Sequence, residues 1–279
     1  MTAYGYIGLG QMGAAMCSHL LGLNLPATVY DLDTQRVEEA VAKGASAAAS
    51  PAEVAANSEI VSVCVPAAAH LEAVLHGDDG LRDAGTDDLT ILVHSTLLPE
   101  QVQAARSRAA GWGADLHDAC VAGGAAAAAT GDLTILAGGL EDMTTHARDL
   151  LHHYGSKVVD AGAVGSACAL KLGINVMTYA QFAAATTAFE IVTNDGVATD
   201  TLVDVWRHLG QLGKLTEAFL ILAAIPAHEM PDAVREIVTS SVAIAQKDLE
   251  LASELTETEN LNNVIDALHD AMGDTFGLA

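Results

Sequence analysis

The sequence predicts an α/β fold, a doubly wound parallel sheet in the first half of the chain followed by an all-helical second half. Three observations carry this. Short β-rich runs alternate with helical patterns up to about residue 160. A glycine-rich turn stands where the first strand gives way to the first helix. Beyond about residue 162 strand patterns stop and only helical ones remain. Alternation of this kind argues for a parallel sheet covered on both faces.

In order, strands are expected at 4–9, 27–30, 60–65, 90–94 and 115–118, with further short runs at 133–137 and 157–159. Apolar residues at helical spacing mark 35–43 and 51–57 between them. The second half opens on a helix from Ala167 to about Thr193, apolar or small all round and so expected to be buried. Asn194-Asp195-Gly196 ends it. Helical patterns follow at 199–209, 215–224, 231–255 and 261–276. The expected division is an α/β domain at 1–162 and an all-helical domain at 163–279.

Composition narrows the function classes. Acidic residues outnumber basic ones 36 to 12, a formal charge of −24, which repels nucleic acid and anionic membranes. No apolar run approaches the roughly 18 residues of a membrane span. The start, Met1-Thr2-Ala3-Tyr4, lacks the basic and apolar regions of a signal peptide, so a cytoplasmic protein is expected. Cys17, Cys64, Cys120 and Cys168 form no CxxC pair and read as scattered thiols in a reducing compartment. The histidines show no ligand spacing, and no catalytic metal is expected.

The strongest local signal is Gly8-Leu9-Gly10-Gln11-Met12-Gly13, a G-x-G-x-x-G pattern between a strand and a helix. Gly8 permits the tight turn, Gly10 lets a pyrophosphate approach the backbone, and Gly13 lets helix and strand pack closely. The helix N-terminus offers N–H groups to the phosphates, which matters on so acidic a chain. The second strand ends in Asp31, placed to accept the ribose hydroxyls of an adenosine and to repel a 2′-phosphate. NAD is therefore favoured over NADP, although Arg36 stands close by in sequence. The first half reads as a Rossmann-type domain.

Four further segments carry a family resemblance: His94-Ser95-Thr96-Leu97-Leu98-Pro99; Asp118-Ala119-Cys120-Val121-Ala122-Gly123-Gly124 running on to Gly131-Asp132-Leu133; Gly162-Ala163-Val164-Gly165 through Lys171 and Asn175; and Lys247-Asp248-Leu249. With the glycine loop they resemble, in order and spacing, the 3-hydroxyisobutyrate (β-hydroxyacid) dehydrogenases over nearly the whole chain. The resemblance implies hydride transfer between a nicotinamide cofactor and a small carboxylate-bearing hydroxy acid or semialdehyde. It implies Lys171 as the proton donor and acceptor, with burial and a cationic ring lowering its pKa. It makes Asn175 the residue that orients the substrate, and the backbone of Ala122, Gly123 and Gly124 the cradle of the substrate carboxylate. Val65, Pro66 and Thr96 would line the cofactor, with Lys247 beside it, and the helical domain would form a homodimer. A plainer reading makes Lys247 a neighbour of Asp248 on a solvated helix.

The chain departs from the family pattern at several points. Ala122 stands for the usual serine, Cys120 for the proline, His94 for the aspartate and Ile174 for a second asparagine. The loop after Gly124 is nearly all alanine. These departures keep two alternatives open: an imine reductase-like C=N reductase on the same framework, and a cofactor-binding protein that has lost catalysis. The retained Lys171 weighs against the first, and Lys171, Asn175 and Lys247 together weigh against the second.

Overall fold

The computed structural model describes residues 2–225 and 227–278. The chain divides into two compact units, Met1–Lys171 and Leu172–Ala279.

The first unit runs β1 (Tyr4–Ile7), α1 (Gln11–Gly22), β2 (Ala27–Tyr30), α2 (Thr34–Ala42), β3 (Ser46–Ala47), α3 (Pro51–Ala56), β4 (Ile60–Val63) and α4 (Ala68–His76). It continues with β5 (Thr90–Val93), α5 (Pro99–Ala110), β6 (Asp115–Ala122), α6 (Gly124–Thr130), β7 (Thr134–Gly138), α7 (Thr145–Tyr154) and β8 (Lys157–Gly162). One eight-stranded sheet results, in the order β3-β2-β1-β4-β5-β6-β7-β8. Every neighbouring pair is parallel except β6 and β7. From β1 the chain winds outward through β2 and β3, then returns to the other side of β1 as β4. The crevice at the C-terminal ends of β1 and β4 is therefore the topological switch point, where sheets of this kind bind ligands.

β6 is longer than the expected strand because it has two partners. Residues 115–118 pair with β5, and Ala119–Ala122 pair antiparallel with β7. The two-residue β3 was not expected; so short a run carries no periodicity. One apolar cluster of this unit gathers Tyr6, Met16, Leu20, Leu92, Leu150 and Tyr154, none more than 1 % exposed.

The helix α8 (Ser166–Asn194) is shared by both units. The division falls inside it, after Lys171, rather than ahead of it near residue 162 where the sequence changes character. The Asp118 carboxylate of β6 holds the first turn of α8 to the sheet. The second unit adds α9 (Thr199–Leu209), α10 (Lys214–Ala223), α11 (Asp232–Glu254) and α12 (Glu259–Thr275). Three of the four phenylalanines meet in its core. Phe182 stacks on Phe219 with centroids 4.1 Å apart, and Phe276 meets Phe219 edge-on at 5.3 Å. Such pairs contribute about 0.5–1.5 kcal/mol each beyond their buried area. α8 is not buried all round as expected: Met177 is 61 % and Ile191 65 % exposed. One small unit covers only one side of so long a helix. No helix among the described residues is long and apolar enough to cross a membrane.

Candidate active site

The sequence-expected residues fall into two groups, one in each unit. The first is the cradle at the switch point. β1 delivers Gly8, whose φ of +90° and backbone contact with Cys64 (an added Cβ would lie 2.2 Å from its carbonyl oxygen) both demand glycine. Gly13 packs against Gly8, leaving no room for a side chain. Gly10 differs: a Cβ there would meet nothing closer than Arg36 Nη1 at 4.0 Å. The protein itself does not need glycine at this position; an approaching pyrophosphate does. Gln11, Met12 and Gly13 open α1, where N–H groups lack an intrahelical carbonyl. The residues present thus fit a dinucleotide.

Asp31 follows β2 and is tied to the loop. Its Oδ2 accepts from the Leu9 amide at 2.5 Å and its Oδ1 from the Asp33 amide at 2.8 Å. Across the switch point, Ser95 at the end of β5 fixes the backbone after β4. Its hydroxyl donates to Val65 O at 2.6 Å and accepts from Val65 N at 2.9 Å. Val65 is partly exposed and Pro66 exposed there, and Thr96, next to Ser95, is partly buried.

β6 ends at Ala122, and the chain turns through Gly123 (φ +136°) and Gly124 (φ +80°) into α6. Both angles lie where side chains are strained, so the two-glycine turn presents bare backbone. Behind it lies Asp118, fully buried. Its carboxylate accepts from Gly165 N at 2.8 Å and Cys168 N at 3.1 Å, capping α8 from a distant strand. Gly138 makes room for it, since a Cβ there would lie 2.0 Å from Asp118 Oδ1. Cys120, in place of the family's proline, packs its Sγ 3.5 Å from that of Cys168. This contact and burial push the Cys120 thiol up, so it stays protonated and inert.

Lys171 lies in the second turn of α8 and is partly exposed. Asn175, one turn on, is buried in the second unit. Its Nδ2 donates to Asp248 Oδ2 at 2.6 Å, and the Tyr179 hydroxyl donates to the same oxygen at 3.3 Å. Lys247 Nζ stands 2.8 Å from Asp248 Oδ1. A carboxylate only accepts, so Asn175 must turn its nitrogen inward, leaving Oδ1 as the acceptor on the other side. Burial and the Asp248 charge push the Tyr179 phenol up, keeping it a donor. Asp248 is only 2 % exposed, so the helix is not solvated at this point.

Sequence reasoning thus missed Asp248, Asp118 and Ser95 as parts of the site. All three lie inside quoted motifs, adjacent to or near residues that were named; their burial was the hidden quantity.

The NAD-binding domain of 6-phosphogluconate dehydrogenase matches residues 3–165. An uncharacterized oxidoreductase of Mycobacterium tuberculosis is 30% identical over 92% of this chain and 87% of its own length. A 3-hydroxyisobutyrate dehydrogenase of Pseudomonas aeruginosa is 30% identical over 74% of this chain and 70% of its own. Among solved structures, a Mycobacterium tuberculosis 3-hydroxyisobutyrate dehydrogenase with L-serine aligns with a TM-score of 0.77 at 23% identity, covering 98% of this chain and 93% of that one. A Streptomyces aurantiacus imine reductase aligns at 0.67 and 19% identity, covering 98% and 95%; at these identities both structures speak to the fold alone. The glycine cradle, the ordered motifs and these matches agree, and the chain belongs to the 3-hydroxyisobutyrate (β-hydroxyacid) dehydrogenase family of NAD(P)-dependent oxidoreductases.

Proposed function

We propose that the protein is an NAD-dependent dehydrogenase that interconverts a small 3-hydroxy acid and its semialdehyde, with Lys171 as general acid–base. The observation that carries this is the pair Lys171 and Asn175, one turn apart on α8, the second oriented by a buried carboxylate. The loop from Gly8 to Gly13, with Asp31, Val65, Pro66, Thr96 and Lys247, would hold the cofactor. When bound, the nicotinamide supplies the hydride acceptor for oxidation or the donor for reduction. Lys171 takes the hydroxyl proton as the alcohol is oxidised and returns it to the carbonyl oxygen in reduction. Asn175 orients the substrate, its Oδ1 accepting from a donor group other than the reacting oxygen, whose single proton passes to Lys171. The backbone of Ala122, Gly123 and Gly124 receives the substrate carboxylate. The Asp31 carboxylate favours NAD over NADP.

A homodimer belongs to the same proposal. α9 is amphipathic by sequence, yet none of its residues is buried. Leu209 is 61 % exposed, and Ile221 of α10 75 %. A second copy covering this apolar surface accounts for it. The free cysteines accord with a cytoplasmic location.

The test is NAD⁺ reduction at 340 nm against a panel of small 3-hydroxy acids, beside NADP⁺, for wild type and Lys171→Ala. Activity should fall about 10³-fold in the variant while NADH binding persists. Light scattering of the same preparation should give twice the chain mass. One observation favours a second reading: Ala122 removes a hydroxyl from the carboxylate cradle. Activity on cyclic imines with none on any hydroxy acid would establish the imine reductase reading instead.

A further inference from the structure

We propose that Asp33 is a cofactor-specificity residue, holding Arg36 in an ion pair so that the ribose end of the cradle rejects a 2′-phosphate. The proposal rests on the NAD reading above and adds to it a residue and a device.

The turn between β2 and α2 is interlocked with the glycine loop. Asp31 bridges the Leu9 and Asp33 amides. The Asp33 side chain does two things at once. Its Oδ1 accepts from Gln35 N at 3.0 Å and caps α2, while its Oδ2 lies 3.2 Å from Arg36 Nε. The Arg36 guanidinium reaches back over the cradle, Nη1 lying 4.0 Å from where a Gly10 Cβ would stand. An arginine so placed would ordinarily recruit a phosphate, because its planar fork matches phosphate oxygens two at a time. Asp33 occupies one edge of that fork and cancels its charge. The trio Asp31, Asp33 and Arg36 carries a formal −1 where the adenosine ribose of a bound cofactor would lie. The two hydroxyls of NAD tolerate that; a dianionic phosphate does not.

Asp33 and Arg36 side chains are 48 % and 49 % exposed, so the pair adds little to stability. What it sets is the local charge. Replacing Asp33 by Asn keeps the cap, because asparagine caps as well as aspartate, and releases Arg36.

The test uses NADH and NADPH binding, read by nicotinamide fluorescence, and needs no substrate. In Asp33→Asn the NADPH Kd should fall at least about tenfold, with NADH binding changed less than about threefold; tenfold corresponds to about 1.4 kcal/mol. The double variant Asp33→Asn/Arg36→Ala should lose the gain. Asp33→Ser, a second capping residue, should reproduce it. An unchanged NADPH affinity in both single variants overturns the role of Asp33, and so does a gain that survives loss of Arg36. A wild type that binds NADPH more tightly than NADH overturns the NAD reading instead, and the two failures are read from different proteins.

Discussion

In the sheet unit, His94 sits fully buried in a chain of neutral groups. Its Nδ1 lies 2.7 Å from Ala119 O, its Nε2 3.0 Å from Ser62 Oγ, and Ser62 Oγ 2.9 Å from the Tyr154 hydroxyl. A carbonyl only accepts, so Nδ1 carries the proton, Nε2 accepts from Ser62, and Ser62 accepts from Tyr154. Each donor meets an acceptor, and the chain ends on the Ala119 carbonyl. In the helical unit, Asp248 is buried to the same degree but keeps a carboxylate surrounded by Asn175, Tyr179 and Lys247. That cluster is built on a charged group, and it turns the Asn175 Oδ1 away from the carboxylate. A neutral network specifies a core; a charged one that fixes the orientation of an amide suits a site. The contrast assigns His94 to packing, although it stands where the family carries an aspartate.

Removing Asp248 should have the largest effect. Asp248→Ala removes the acceptor of Asn175 Nδ2 and of the Tyr179 hydroxyl and frees the Asn175 amide to rotate. Turnover should fall at least about 10²-fold, as expected when a positioning group slips, while NADH binding weakens far less. A variant with wild-type turnover would erase the distinction between the two networks.

The next effect is on stability. Burial lowers the His94 pKa from 6.5 to about 4. The folded state thus binds fewer protons than the unfolded one between these values. Stability from this group is complete above pH 6.5 and is lost as pH falls toward about 4, by about 3 kcal/mol in all. Urea unfolding at a series of pH values should show this loss in wild type and a shallower one in His94→Gln. Equal slopes would mean that folding leaves the His94 pKa unlowered.

The smallest effect is expected in the neutral chain of the sheet unit. Ser62→Ala interrupts the neutral chain, leaving His94 Nε2 and the Tyr154 hydroxyl unpaired. It should cost about 1–3 kcal/mol in denaturant unfolding with turnover per folded molecule unchanged. A selective loss of turnover would show that the neutral network reaches the chemistry.

Much of this molecule is legible in its sequence, and for short-range reasons. The turn at Gly8, the helix opening at Gln11, the acid after β2 and the one-turn spacing of Lys171 and Asn175 all depend on neighbours a few residues away. Backbone sterics and helical periodicity act over that range. The order of strands and helices follows from the same local signals, which is why α9 (Thr199–Leu209) agrees with the expected bounds. Tertiary structure alone decided the rest. Asp118 caps α8 across 47 residues, and Asp248 orients Asn175 across 73. β6 extends to Ala122 because β7 pairs with it, and α8 keeps an exposed apolar side because its own unit cannot cover it. Whether a carboxylate is a solvated surface charge or a buried organiser depends on what packs around it. Those neighbours are chosen by the fold and not by the adjacent sequence.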